Sequence, residues 1–231
     1  MVLYEGKAKK ILKADNENEF IVYYKDDATA FNGEKKAEIS SKGILNNKIS
    51  TKIFENLERQ GIKTHYIKNI SEREMLVKKV DILLLEVIVR NITAGSFCKR
   101  VGIEEGIVLD EPIFELCYKN DEYGDPLINE DHAVAMGLAT RKEIEYIKNE
   151  TLKINEVMKK FFLDMNLKLV DFKLEFGKDK DGNILLADEI SPDTCRLWDK
   201  DTNEKLDKDR FRRDLGDLLA GYEEVLSRMS N

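Results

Sequence analysis

Residues 170–193, VDFKLEFGKDKDGNILLADEISPD, concentrate side chains that can do chemistry. Asp171, Lys173 and Glu175 alternate with Phe172, Leu174 and Phe176. That period of two puts the three charges on one face of a strand. Asp181-Gly182 is a favoured two-residue hairpin turn. A turn there pairs Lys180 with Asn183 and sets Glu175 opposite Asp188. Two carboxylates facing each other across a ladder repel unless a cation lies between them. Lys173 is one such cation. Mg²⁺ is the other, because it is held by one or two carboxylates together with phosphate oxygens. A solvated polar face with Lys173 as counter-charge is the competing reading. Asp193 and Arg196, on either side of Thr194-Cys195, bring further charge to the same end of the hairpin.

Two other clusters carry chemistry. In LYEGKAKKIL, Gly6 precedes Lys7 and Lys9, and two alternate lysines on a strand can cover phosphates. The pattern lacks the Gly-Lys-Ser/Thr ending of a P-loop. Lysines on an edge strand also protect against aggregation. In EVIVRNITAGSFCKRVG, Arg90 ends a buried-looking strand and Thr93-Ala94-Gly95-Ser96 leads into a short helix. Backbone N–H groups at a helix start favour an anion, and an arginine can clamp it. The alternative is a plain serine N-cap beside a surface arginine. His65 and His132 have no catalytic partner in the sequence and are expected to be structural or exposed.

The elements that must hold these groups follow from periodicity. KAKKIL, EFIVYYK, THYIKNIS and EMLVKKV read as strands, and DILLLEVIVRN as a strand buried on both faces. Apolar residues at helical spacing predict helices over 41–60, from Thr140 onward, and over 207–229. Thr140 and Glu143 form a capping-box signature. The expectation is an α+β protein with a β-rich N-terminal lobe, 1–80, and a larger α+β lobe, 81–231. The chain has 231 residues, 42% hydrophobic and 36% charged, which is enough to bury a real core. No apolar run approaches the ~20 residues of a membrane span, and no signal peptide is expected. The net charge of −7, with bases interspersed among acids, argues against a nucleic-acid partner. Three cysteines without ligand spacing fit a reducing, cytoplasmic setting.

LLLEVIVRNITAGS and LVDFKLEFG resemble the two signature segments of the SAICAR synthetase family, the phosphoribosylaminoimidazole-succinocarboxamide synthases. LYEGKAKKIL, KGILNNK, DEISPDTCRLWD and DKDRFRRDLG resemble its other recurrent segments in the same order, so the resemblance covers nearly the whole chain. One departure is visible. Leu84 stands where the first signature usually has proline, a change that removes no chemical group. The loop KDKDGN is variable territory in the family.

The resemblance implies a two-lobe, ATP-grasp-like fold with ATP in the cleft. It implies an ATP-dependent ligase joining L-aspartate to carboxyaminoimidazole ribonucleotide (CAIR), giving SAICAR, ADP and phosphate in de novo purine synthesis. It further implies Mg²⁺ and a homo-oligomer, a dimer first. By similarity, Lys7 and Lys9 contact the ATP phosphates, and Glu175 and Asp188 hold Mg²⁺. Arg90, Ser96 and Arg196 bind the ribonucleotide, chiefly its phosphate. Lys119 and Asp125 match further active-site positions. Asp171 and Lys173 line the same face as proton acceptor and charge partner. Two rival readings are a ligase or kinase for another carboxylate and a nucleotide-binding regulatory module without turnover. The complete set of Arg90, Ser96 and Arg196 beside the lysines and acids separates the first reading from both.

Overall fold

The protein is described here by a computed structural model covering residues 1–229, apart from the side chain of Asn32. The last two residues of the expected second lobe, 230 and 231, lie outside the described residues. The first sheet is antiparallel and built from β1 (Val2–Glu5), β2 (Lys9–Lys13), β3 (Glu19–Tyr24), β6 (Tyr66–Asn69) and β7 (Glu74–Lys78). Its order is β1-β2-β3-β7-β6. A separate hairpin joins β4 (Asp27–Ala30) to β5 (Lys35–Glu38). Helix α1 (Lys42–Arg59) turns Leu45, Ile49, Ile53, Phe54 and Leu57 inward at helical spacing. Its second residue must be glycine, because a Cβ on Gly43 would lie 2.4 Å from the Tyr24 carbonyl oxygen.

The second sheet carries the chemistry. Its strands are β8 (Asp81–Ile82), β9 (Leu85–Ile92), β10 (Val108–Tyr118), β11 (Leu127–Ile128), β12 (Leu167–Lys178), β13 (Ile184–Ala187) and β14 (Cys195–Asp199). The order is β11-β10-β9-β12-β13, with β8 and β14 also pairing with β12. The N-terminal half of β12 therefore lies between β9 and β14, and its C-terminal half pairs with β13 and β8. Short helices α2 (Gly95–Val101) and α3 (Glu130–Ala135) precede the long α4 (Arg141–Leu163). In α4, Thr140 and Glu143 form the expected reciprocal capping box. Val87, Val89 and Leu174 are buried in the core that this helix helps to form. Asn91 and Asn155 exchange amide hydrogen bonds of 2.8 and 3.0 Å between sheet and helix. One apolar cluster runs from Val22 and Leu57 to Leu174 and Val225, so the two sheets share a core.

Four expectations need correction. The hairpin register is one residue off, since Glu175 faces Ala187 rather than Asp188. The cause is the turn. The Asp179 carboxylate accepts the N–H groups of Asp181 and Asn183 at 2.9 and 2.8 Å, making a longer loop than a two-residue Asp-Gly turn. Asp188 falls just past the strand, in left-handed conformation with φ 61°. The C-terminal helix is broken into α5 (Asp209–Arg212) and α6 (Leu218–Arg228). Left-handed residues Asp214 and Gly216 interrupt it, and the Asp217 side chain caps a fresh start by accepting the Leu219 N–H at 2.8 Å. Arg90 lies within β9 rather than at its end, and Lys7 lies in the β1–β2 connection rather than on a strand.

Candidate active site

A cleft of about 810 Å³ opens between the two sheets. Its lining includes Lys7, Lys9, Arg90, Ser96, Lys119, Asp125, Asp171, Lys173, Glu175, Asp188 and Arg196, every residue singled out from the sequence. The strand alternation explains the convergence. Glu86, Ile88 and Arg90 on β9 share a parity, as do Asp171, Lys173 and Glu175 on β12, and both triplets face the cleft. Opposite them, Ile11, Phe20, Val22 and Val77 of the first sheet, with Val80 and Ile82 beyond it, make an apolar slot.

At one end, ammonium and carboxylate groups interleave. Lys173 Nζ lies 2.5 Å from Glu175 Oε1, 3.4 Å from Glu86 and 3.5 Å from Asp188. Lys119 Nζ donates to the same Glu175 oxygen at 2.9 Å. Lys9 Nζ donates to Asp188 and lies 3.0 Å from Glu189 Oε1. Burial works against the charge on Lys173, but Glu175, Asp188 and Glu86 outweigh it and raise its pKa well above the ordinary range. Lys9 behaves the same way beside Asp188 and Glu189. Burial also opposes ionisation of Asp188, yet Lys9 and Lys173 hold its carboxyl far below the usual range. Glu86 goes the other way, because burial dominates and pushes its pKa up. Lys7 reaches across the cleft to Asp121 at 2.8 Å. Asp125, left-handed at φ 51°, accepts the Asn120 N–H at 2.8 Å and so shapes the loop that carries Lys119.

At the other end, two arginines share one carboxylate. Register places Asp171 beside Arg90 on β9 and beside Arg196 on β14. Arg90 donates to Asp171 at 3.0 Å, to Glu115 at 2.8 Å and to the Ser96 hydroxyl at 3.3 Å. Arg196 donates to Asp171 at 2.9 Å and to Asp209 at 3.0 Å. Both oxygens of Asp171, expected as a proton acceptor, accept hydrogen bonds from the Arg90 and Arg196 guanidiniums. Ser96 is not the helix cap either. Ala94 holds that position, and no side chain caps α2. Gly95 takes φ +60°, and a Cβ on it would lie 2.3 Å from Arg196 Nη2. The glycine of the Thr-Ala-Gly-Ser segment is there to let an arginine pass.

Sequence reasoning missed several groups. Glu189 is buried and binds both Lys9 and the Ser191 hydroxyl, the latter at 2.7 Å. Glu86 shares the parity of Arg90, a signal that was present. Lys42 is fully buried against Asp193, which also accepts from Asn46 at 3.1 Å and from the Tyr222 hydroxyl at 2.5 Å. That partnership spans both sheets' regions and has no local signature. His65 is buried at the cleft wall, and His132 completes the capping box that Asn129 begins at the start of α3.

Comparisons with known proteins agree over the full length. The family model for SAICAR synthetase matches residues 2–229. A phosphoribosylaminoimidazole-succinocarboxamide synthase of Finegoldia magna is 68% identical over 98% of this chain and 98% of its own length. The crystal structure of the enzyme of that name from Ehrlichia chaffeensis superposes with a TM-score of 0.98 at 49% identity, covering 100% of this chain and 98% of that one. A SAICAR synthetase in complex with ADP superposes at 0.95 with 52% identity, covering 98% and 96%.

Proposed function

The chain belongs to the SAICAR synthetase family, and we propose that its cleft is where this ligase joins L-aspartate to CAIR at the expense of ATP. The observation that carries the assignment of sites is the polarisation of the cleft: lysines and acids at one end, a carboxylate-bound pair of arginines at the other. A relative binds ADP, and nucleotide use comes to this chain with the family. The apolar slot of the first sheet suits the base, and Lys7 and Lys9 suit the phosphates. The arginines with Ser96 suit the ribonucleotide phosphate, since a guanidinium matches phosphate with paired charge-assisted bonds.

The reaction needs this separation. A carboxylate accepts an amine poorly because oxide is a bad leaving group. Phosphorylation by ATP converts that oxygen into phosphate, which departs as the aspartate amine attacks. Lys119 and Lys173, already aligned by Glu175, neutralise charge on the transferred group, so positioning and electrostatics supply most of the catalysis. Glu86, with Lys173 at 3.4 Å as its ion-pair partner and a raised pKa, is the better-placed proton acceptor than Asp171.

Glu175 and Asp188 are the residues that would hold Mg²⁺. Glu86, Glu175, Asp188 and Glu189 face only Lys9, Lys119 and Lys173, leaving one negative charge in excess if all are ionised. No cluster of three or more ligands stands ready among the described residues. The donors therefore fit an ion that completes its shell with phosphate oxygens and water. Bound there, it would supply charge neutralisation to the phosphates. The lobes, 1–80 and 81–231, would close on ATP in the ATP-grasp-like manner. No helix among the described residues is long and apolar enough to cross a membrane. A cytoplasmic location and a homodimer, with exposed Val101, Ile107 and Val108 as available apolar surface, complete the proposal.

A coupled ADP-release assay with each substrate omitted in turn tests it. Release should require CAIR and L-aspartate together for sustained turnover. ADP release that ignores the ribonucleotide would overturn the reading.

A further inference from the structure

The arginine end of the cleft is part of a longer chain of alternating charge. Arg100 pairs with one oxygen of Glu115, and Arg90 with the other at 2.8 Å. Asp171 links Arg90 to Arg196, and Asp209 links Arg196 to Arg212 at 2.8 Å. Four guanidiniums thus alternate with three carboxylates. The Phe97 ring lies between two of them, its centroid 5.8 Å from Arg90 Cζ and 5.7 Å from Arg100 Cζ. Glu115 pairs with Ile88 in the ladder, diagonal to Arg90, and is 9% exposed.

We propose that Glu115, held by Arg100, is a positioning residue that, with the Phe97 ring against the Arg90 guanidinium, aims Arg90 and so sets the enzyme's preference for a 5′-phosphorylated ribonucleotide. The inference rests on the assignment of Arg90 to that phosphate. Arg90 sits between two carboxylates, so its attraction for an anion at long range is largely cancelled. What remains is the direction of its free N–H groups. Glu115 fixes the Nε edge, Asp171 fixes one terminal nitrogen, and the aromatic face blocks rotation out of plane. Arg100 pairs with the other oxygen of Glu115, so the acid that orients Arg90 is itself held in place. Only a substrate that carries the phosphate can sense a change in this aim.

The test compares kcat/KM for CAIR with that for its riboside, which lacks the phosphate. In the wild type the ratio measures phosphate recognition. Glu115→Gln should lower the ratio at least tenfold with the KM for ATP unchanged. Arg100→Gln, at a half-exposed site, should lower it by a smaller factor. Arg90→Lys serves as the reference. If Arg90→Lys leaves the ratio unchanged, the assignment of Arg90 falls and the inference falls with it. If Arg90→Lys lowers the ratio while Glu115→Gln and Arg100→Gln cut both substrates equally, Glu115 is merely structural and only this inference is overturned. Should Glu115→Gln fail to fold, Arg100→Gln decides alone, and an unchanged ratio there refutes the proposal.

Discussion

Replacing Gly95 by alanine should detach Arg196 from the site without replacing any charged residue. The new Cβ would stand 2.3 Å from Nη2, 2.6 Å from Cζ and 2.8 Å from Nη1 of Arg196, closer than any real contact allows. The guanidinium must therefore move. Two costs follow. An alanine at φ +60° is strained by about 1–2 kcal/mol. A displaced Arg196 also loses charge-assisted hydrogen bonds to Asp171, each contributing about 1.5–3 kcal/mol. Stability should fall by roughly 2–4 kcal/mol, less if the arginine finds water or a new partner. For the ribonucleotide, loss of even one charged hydrogen bond weakens binding by about 1.5 kcal/mol, close to tenfold in Kd. Calorimetric titration of CAIR and of ADP, each alone, separates the effects. CAIR binding should weaken by about tenfold or more while ADP binding stays within about twofold. Wild-type CAIR affinity in a folded Gly95→Ala protein would show that Arg196 does not contact the phosphate.

Four further outcomes are expected. Arg196→Lys keeps the charge but not the fork, so CAIR should bind more weakly by at least ~1 kcal/mol with nucleotide binding unchanged; weakened ADP binding instead would move this residue to the nucleotide end. Glu175→Gln should nearly abolish turnover and alter its Mg²⁺ response while the fold persists by circular dichroism, and an unchanged Mg²⁺ titration would contradict the metal assignment. Lys7→Ala with Lys9→Ala should raise the KM for ATP or lower kcat with less effect on CAIR affinity; unaltered ATP kinetics would return both lysines to plain surface and core charges. Burial lowers the pKa of His65 to about 4, so its stabilising neutral form is fully present above the unfolded value of 6.5 and is lost as pH falls from there through 4. This loss should reach about 2 kcal/mol by pH 5 in urea unfolding and vanish in His65→Gln; parallel pH profiles for the two proteins would refute it.

Legibility of the site in the sequence followed the range of the forces involved. Parity along β9 and β12 is a local property, so the cleft-facing charges could be read directly. So could the capping box of α4, whose two partners are three residues apart. The hairpin register could not, because two local signals competed. Asp181-Gly182 favours a tight turn, but Asp179 offered its carboxylate to two backbone N–H groups and drew the longer loop. The broken C-terminal helix is the same kind of contest, in which Asp217 as a cap overrode an unbroken apolar stripe. Burial of Lys42 was beyond reach, since the acid that makes it tolerable lies on another element 151 residues away.

The slip in register is instructive because it did not move the chemistry. A one-residue shift should send a strand residue to the opposite face. Asp188 escapes that rule because it lies beyond the last ladder pair, where φ 61° turns its side chain back toward Lys9 and Lys173. Its place is set by charge rather than by pleat. Burial alone would favour the neutral acid there, yet the two ammonium groups keep it ionised. Asp171 shows the opposite case. Its position follows wholly from the ladder, which puts an arginine on each side of it. The arginine end of the cleft is therefore held by strand pairing, and Asp188 at the lysine end by ion pairs formed outside the ladder. Ion pairs can be exchanged when a nucleotide and its metal arrive, whereas a ladder cannot be shifted without unmaking the sheet. The proposed function puts nucleotide and metal at the end built from exchangeable contacts, where the charges have to rearrange.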